Sequence, residues 1–267
     1  MMNRRTTLQL TRGFTSLSKR AAAAGIVLPN DPSIYGPITE GAMYIARAEY
    51  LTLGPGDEVQ VWQNADNPGT RDIIFDSGAR PTWMPSLGVD GAGTVRLNGT
   101  NQWGYATGFN FSQAGGTNEP RVQIVGRYRS TSTPKVGWCT PWIASPQAYI
   151  QGFQIRAGNV KRTNGSIINT PHNLDTVIAH DTGYHLWEDN FKDSGGFEFW
   201  FDGVQYTGGG TGGATNVNDR FEFGRGSFGG EYADVDIDEI VITEARSAAQ
   251  AAAYRSIRVA NEYPSLP

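Results

Sequence analysis

The chain holds one cysteine, three histidines and no apolar run approaching membrane-spanning length. Each shortage removes a class of protein. With Cys139 alone, no intrachain disulfide can staple the fold, and GWCTPW around it carries no redox or nucleophile signature. A buried, inert thiol is expected there. His172, His180 and His185 stand in neither HxH nor HExxH spacing, so they are expected as loop or core histidines, with no metal and no cofactor. Without about 18 to 20 consecutive apolar residues, no membrane span is expected and the chain reads as soluble. Charged residues are sparse at 18%, and a net charge of −4 gives no reason to expect nucleic acid as a partner.

Glycine, by contrast, is abundant, at 34 of 267 residues. Its combination with aromatics and short apolar runs indicates a turn-rich β protein, long enough for one large domain or two small ones. Charge is unevenly placed. Residues 1–30 carry Arg4, Arg5, Arg12, Lys19 and Arg20 and no acid, leaving 17 bases against 26 acids elsewhere. By composition this arm resembles a transit peptide, and AAAAGIVL at 21–28 imitates a signal-peptide core. The preferred reading is an assembly arm, because an ordered terminal segment must lie on its own domain or on a neighbouring subunit. PNDPSIYGPITEG at 29–41 has no periodicity, so arm and link are assigned to 1–42 and a domain to 43–267.

Short strand-like segments recur through that domain: EVQVW (58–62), TVRLNG (94–99), RVQIVGRYR (121–129), GFQIRAG (152–158), TVIAHD (176–181), FEFWFDG (197–203) and RFEFG (220–224). Alternation sorts their faces. Val122, Ile124 and Tyr128 fall opposite Gln123, Val125 and Arg127. Phe197, Phe199 and Phe201 fall opposite Glu198 and Trp200. Such strands pack as antiparallel sheets face to face. A single helix is expected at about 247–263, capped by Ser247 and stopped by Pro264.

Among the motifs, Gly224-Arg-Gly-Ser-Phe-Gly229 fits the dinucleotide fingerprint GxGxxG. A strand follows where that mechanism needs a helix, so it reads as a glycine turn. Trp138, Trp142 and Trp200 are candidate stacking platforms for sugar rings, against the commoner use of tryptophan as buried area. In the strand assignment Trp200 looks outward, with Glu198 and Arg127 positioned to hydrogen-bond a glycan. YADVDIDEIVIT (232–243) alternates Asp234, Asp236 and Asp238, which raises the question of a catalytic carboxylate pair.

Taken in order, several stretches resemble the concanavalin A-like lectin/glucanase domains of the laminin-G-like type. These are WQNADNPGTRDIIFDSGARPTW (62–83), TVRLNGTNQW (94–103), HLWEDNFKDSGGFEFWFDGVQY (185–206), and the segment from Phe223 through YADVDIDEIVIT to Tyr263. The likeness spans about 43–263. It implies a two-sheet antiparallel jelly-roll sandwich, allows calcium, and says little about function, since the fold hosts lectins, adhesion modules, enzymes and virion proteins. Laminarinase-type hydrolases of this fold place Glu-x-Asp-x-Glu on one strand. Here Asp234 and Asp238 occupy the two ends. Residues i and i+4 lie roughly 13 Å apart along a strand, and a retaining pair must close to about 5 Å, which the shorter aspartates do poorly. These carboxylates are therefore expected on a solvated strand face.

The resulting expectation is a structural or binding module without catalysis. Its arm docks on other virion or assembly subunits, and its lectin-like domain faces outward from a virion surface, such as a bacteriophage's, holding polysaccharide. The alternative is a polysaccharide-degrading glycoside hydrolase using Asp234 and Asp238. A free-standing secreted, extracellular lectin comes third.

Overall fold

The computed structural model describes residues 42–65, 67–111, 121–130, 139–144, 147–149, 151–156, 159–164, 171–173, 182–190, 197–208, 218–225, 232–243, 255 and 263–267. The arm, the TVIAHD segment, Trp138, His180 and all of the expected C-terminal helix but Arg255 and Tyr263 lie outside these residues.

Seventeen strands run through the described residues. They are β1 (Ala42–Arg47), β2 (Val61–Trp62), β3 (Ile73–Phe75), β4 (Thr82–Met84), β5 (Thr94–Asn98), β6 (Gly104–Phe111), β7 (Arg121–Tyr128), β8 (Cys139–Ala144), β9 (Gln147–Tyr149), β10 (Gln151–Arg156), β11 (Asn159–Asn164), β12 (Pro171–Asn173), β13 (His185–Asn190), β14 (Phe197–Phe201), β15 (Val204–Gly208), β16 (Asn218–Phe223) and β17 (Asp234–Thr243). The larger sheet has eight strands in the order β15-β14-β13-β7-β17-β5-β4, with β1 also on β17. The smaller runs β2-β3-β6-β16-β8-β9, and β10-β11-β12 form a separate three-stranded sheet. All pairings are antiparallel. This is an all-β sandwich.

The main core lies between the two larger sheets. Val95, Leu97, Val122, Ile124, Tyr128, Trp187, Phe201, Val235, Ile237, Ile240 and Ile242 come from one sheet, and Trp62, Ile73, Phe75, Ala106, Phe221 and Phe223 from the other. In β7 the alternation read from the sequence holds: Val122, Ile124 and Tyr128 enter this core, while Val125 joins a second cluster. Trp187 anchors the middle, edge-on to Phe201 at 4.8 Å and to Tyr128 at 5.7 Å, its indole N–H donating to the Gly126 carbonyl at 3.2 Å. Edge-to-face rings of this kind are stabilising beyond the area they bury.

The β14–β15 hairpin turns through Asp202 (φ 49°) and Gly203 (φ 77°). Positive φ at both central residues matches the twist of the flanking strands, and Asp-Gly tolerates it. The Asp202 carboxylate then binds the start of β13: Oδ2 lies 2.7 Å from His185 Nδ1, and Oδ1 accepts the Leu186 N–H at 2.9 Å. His185 is thus a buried structural histidine.

The far face of the larger sheet is partly roofed. Val89 from a 3-10 turn (Val89–Gly91), Val125, Leu186, Tyr263 and Leu266 form a second buried cluster there. Its consequences appear in the polar residues that share that face.

Candidate functional site

Strand β17 positions the acidic residues, and a bulge decides where they point. Ile237 pairs with Gly126 and Glu239 with Val125, so Asp238 is the extra residue. A bulge shifts the alternation by one. Val235 and Ile237 before it, and Ile240 and Ile242 after it, therefore all face the main core. Asp234, Asp236 and Glu239 share the opposite face.

That face is buried and ionically paired, which corrects the expectation of a solvated strand face. Asp236 is fully buried; Arg96 donates to it from Nε (2.7 Å) and Nη2 (3.0 Å), and Arg127 from Nε and Nη2, both at 2.9 Å. Glu239 meets Arg47 Nε at 3.1 Å and accepts the Tyr263 hydroxyl at 2.8 Å. Glu188 on β13 accepts Gln123 at 2.5 Å and Arg255 at 2.6 Å. The physical reason is the roof: a carboxylate removed from water persists only if cations and donors replace that water.

Asp238 is 2% exposed and accepts the Val89 N–H at 2.6 Å, pinning the 3-10 turn to the sheet. Burial pushes its carboxyl up to about 7, against the partial opposition of Thr94 and the Val89 N–H. With Asp238 sealed under that turn and Asp234 held by Arg129, the two do not face each other across a cleft as a hydrolytic pair must.

Trp200 requires a second correction. It lies on the face opposite Phe201, as the alternation implies, yet it is 5% exposed. The Arg121 guanidinium covers its ring at 4.3 Å and that of Arg255 approaches at 5.2 Å. A buried indole with two guanidinium groups against its ring is not an open platform for sugar. Glu198 sits in β14 opposite Asn190 and Thr207. Trp142 sits in β8 opposite Arg220 and Tyr149. The arm residues Arg4, Arg5, Arg12, Lys19 and Arg20 lie outside the described residues.

Where the roof ends, a cleft opens. It encloses about 370 Å³ and is lined by Arg127, Arg129, Thr182 and Asp234. Arg129 reaches Asp234 Oδ1 from Nε at 2.7 Å and from Nη2 at 2.6 Å. Arg127 lies over the Tyr184 ring at 4.8 Å, and the Tyr184 hydroxyl donates to the Leu87 carbonyl at 2.8 Å. Both cleft arginines thus spend Nε and Nη2 on aspartates, and the Nη1 of each has no hydrogen-bond partner among the described residues. Their side chains remain about 30% exposed. The structure brings together Arg127 and Asp234 from the candidates named above and adds Arg96, Arg129, Thr182 and Tyr184. A signal for Arg129 was present in the sequence: Arg127 and Arg129 alternate as Asp234 and Asp236 do, so two antiparallel strands can match them.

Among the described residues, no group of three or more His, Cys, Asp or Glu side chains is arranged to hold a metal ion, and no helix is long and apolar enough to cross a membrane.

No protein-family model matches the chain, and no curated protein matches it in sequence. Solved structures do. Trypanosoma rangeli sialidase in complex with sialic acid superposes with a TM-score of 0.56 at 11% identity, over 93% of this chain and 38% of the sialidase. The same enzyme's covalent intermediate with 2,3-difluorosialic acid gives 0.58 at 11%, over 96% and 39%. The likeness is one of fold. The chain spans about two fifths of the sialidase chains it matches. A carbohydrate esterase from the Shiga toxin-encoding bacteriophage phi24B matches more loosely, with a TM-score of 0.45 at 15% identity over 65% of this chain and 90% of that one. The sialidases are enzymes that contain this fold, so the fold gives no support to the expectation of a chain without catalysis, and that expectation is corrected.

Proposed function

We propose that this chain is the β-sandwich of a carbohydrate-active protein, of the concanavalin A-like jelly-roll type, and that it engages glycan at the cleft of Arg127, Arg129, Thr182 and Asp234. One observation carries the reading. The cleft brings Arg127, Arg129, Thr182 and Asp234 together, with each arginine held through its Nε and Nη2 by an ion pair to an aspartate. Adjacent, preorganised donors and acceptors suit the paired hydroxyls of a sugar ring, and fixing them before binding lowers the ordering cost. The sialidase fold neighbours agree with this reading. Placement on a virion surface, with the basic arm as its attachment, rests on the sequence alone.

The test is titration of the purified protein with a panel of neutral and acidic oligosaccharides, with product release followed on the same panel. Association that is weakened in Asp234→Asn and Arg129→Gln, with the fold retained by circular dichroism, is the expected result. Release of products would add processing to binding at this cleft. Failure of every oligosaccharide to associate would overturn the assignment.

A further inference from the structure

Among the described residues, the charges around the cleft do not balance. Arg96 and Arg127 share the single carboxylate of Asp236, while Arg129 and Asp234 form a separate pair. Three guanidinium groups thus face two carboxylates, leaving one positive charge over. Asp236 is fully buried and saturated by donors from two sides, so it cannot turn to offset that charge in the cleft. Asp238, the next carboxylate along, is sealed beneath the 3-10 turn, and burial holds its proton on to about neutral pH. The surplus is expressed at Arg127, in β7, and at Arg129, one residue past its end, whose N–H still donates to the Asp234 carbonyl at 3.0 Å; both line the cleft.

We infer that the cleft selects a carboxylate-bearing sugar, such as a uronic acid residue, whose planar carboxylate accepts from the Nη1 edges of Arg127 and Arg129, which bond no described residue, while its hydroxyls reach Asp234 and Thr182. The inference rests on the glycan reading of the cleft. Guanidinium recognises a carboxylate with directional, charge-assisted hydrogen bonds, which a neutral sugar cannot return. The Tyr184 ring, pinned beneath Arg127, holds that guanidinium flat and limits the rotamers it would otherwise lose on binding.

The experiment compares oligogalacturonate with its fully methyl-esterified form, which keeps the hydroxyls and loses the charge. The acid is expected to bind at least about tenfold more tightly than the ester, with affinity falling as salt rises. Arg129→Gln should erase most of that preference. Arg129→Lys keeps the charge against Asp234 but removes Nη1, and should lose preference while retaining the fold. Equal binding of acid and ester, both lost in Arg129→Gln, would overturn this inference and leave the glycan reading in place. Binding of neither, while another oligosaccharide of the panel associates, would overturn this inference alone; association of none would remove both. A preference for the acid that survives both Arg129 variants would place its recognition elsewhere and sink the proposal.

Discussion

Asp238 is held in a protonation state that an exposed aspartate would not keep. Its folded-state pKa of about 7 stands above the ordinary 3.8, because burial penalises the anion. Between roughly pH 4 and pH 7 the unfolded chain has lost this proton while the folded one retains it. Stability therefore falls as pH rises through that window, by at most about 1.4 kcal/mol per pH unit, and levels off above it. Urea denaturation of wild type and Asp238→Asn at pH 5 and pH 8 checks the sign: wild type should lose more stability between the two. Parallel changes in the two proteins would mean the carboxyl is not desolvated. Trp200 supplies a second residue-scale prediction. Packed under Arg121 and Arg255, it should cost about 3 kcal/mol or more on truncation to alanine, as large buried aromatics do. A loss below about 1 kcal/mol would contradict that packing. The face Trp200 occupies was legible in FEFWF, since alternation alone separates it from Phe201. Its burial was not, because Arg121 and Arg255 come from distant stretches and no local pattern announces a guanidinium over an indole.

Elements were more legible than their interruptions. TVRLN, RVQIVGRY and FEFWF are strands where the alternation puts them, because each has one apolar face to bury. The short strands β2, β3 and β4 offer only two or three residues each, too few to establish a period. In β17 the clue was visible yet easily passed over. Val235 and Ile237 are two apart, Ile240 and Ile242 are two apart, but Ile240 stands three positions after Ile237. Only a bulge can put all four into one core. The end of β16 is another point where an element depends on one residue. Gly224 has φ +76°, and a Cβ there would run into the Leu97 side chain and sit 3.2 Å from the Gln102 carbonyl. Gly224→Ala should destabilise the protein by more than about 1 kcal/mol, combining backbone strain with overpacking. Thermal melts against Gly56→Ala, also at positive φ but with open space around its Cβ, would separate the two causes.

At the scale of the whole molecule, the last described residues behave as a structural part of the larger sheet. Tyr263 and Leu266 close the second cluster, and the Tyr263 hydroxyl satisfies Glu239. Removing 263–267 should cost roughly 3 kcal/mol or more, from two buried side chains and an exposed ion pair, and should raise protease sensitivity. Unchanged melting would show that the roof is dispensable. The pairing of β1 with β17 has a consequence for how the protein is made. Ala42 meets Thr243, about two hundred residues further along the chain. At ordinary synthesis rates of about 5 to 20 residues per second, the first strand leaves the ribosome roughly ten to forty seconds before its partner exists. Until then the nascent chain carries a strand with no sheet to join. Folding must also meet the closure entropy of that long loop late in the process. Strands β1 and β17 are fastened together late, which makes refolding at high concentration the step at which neighbouring chains are most apt to exchange strands.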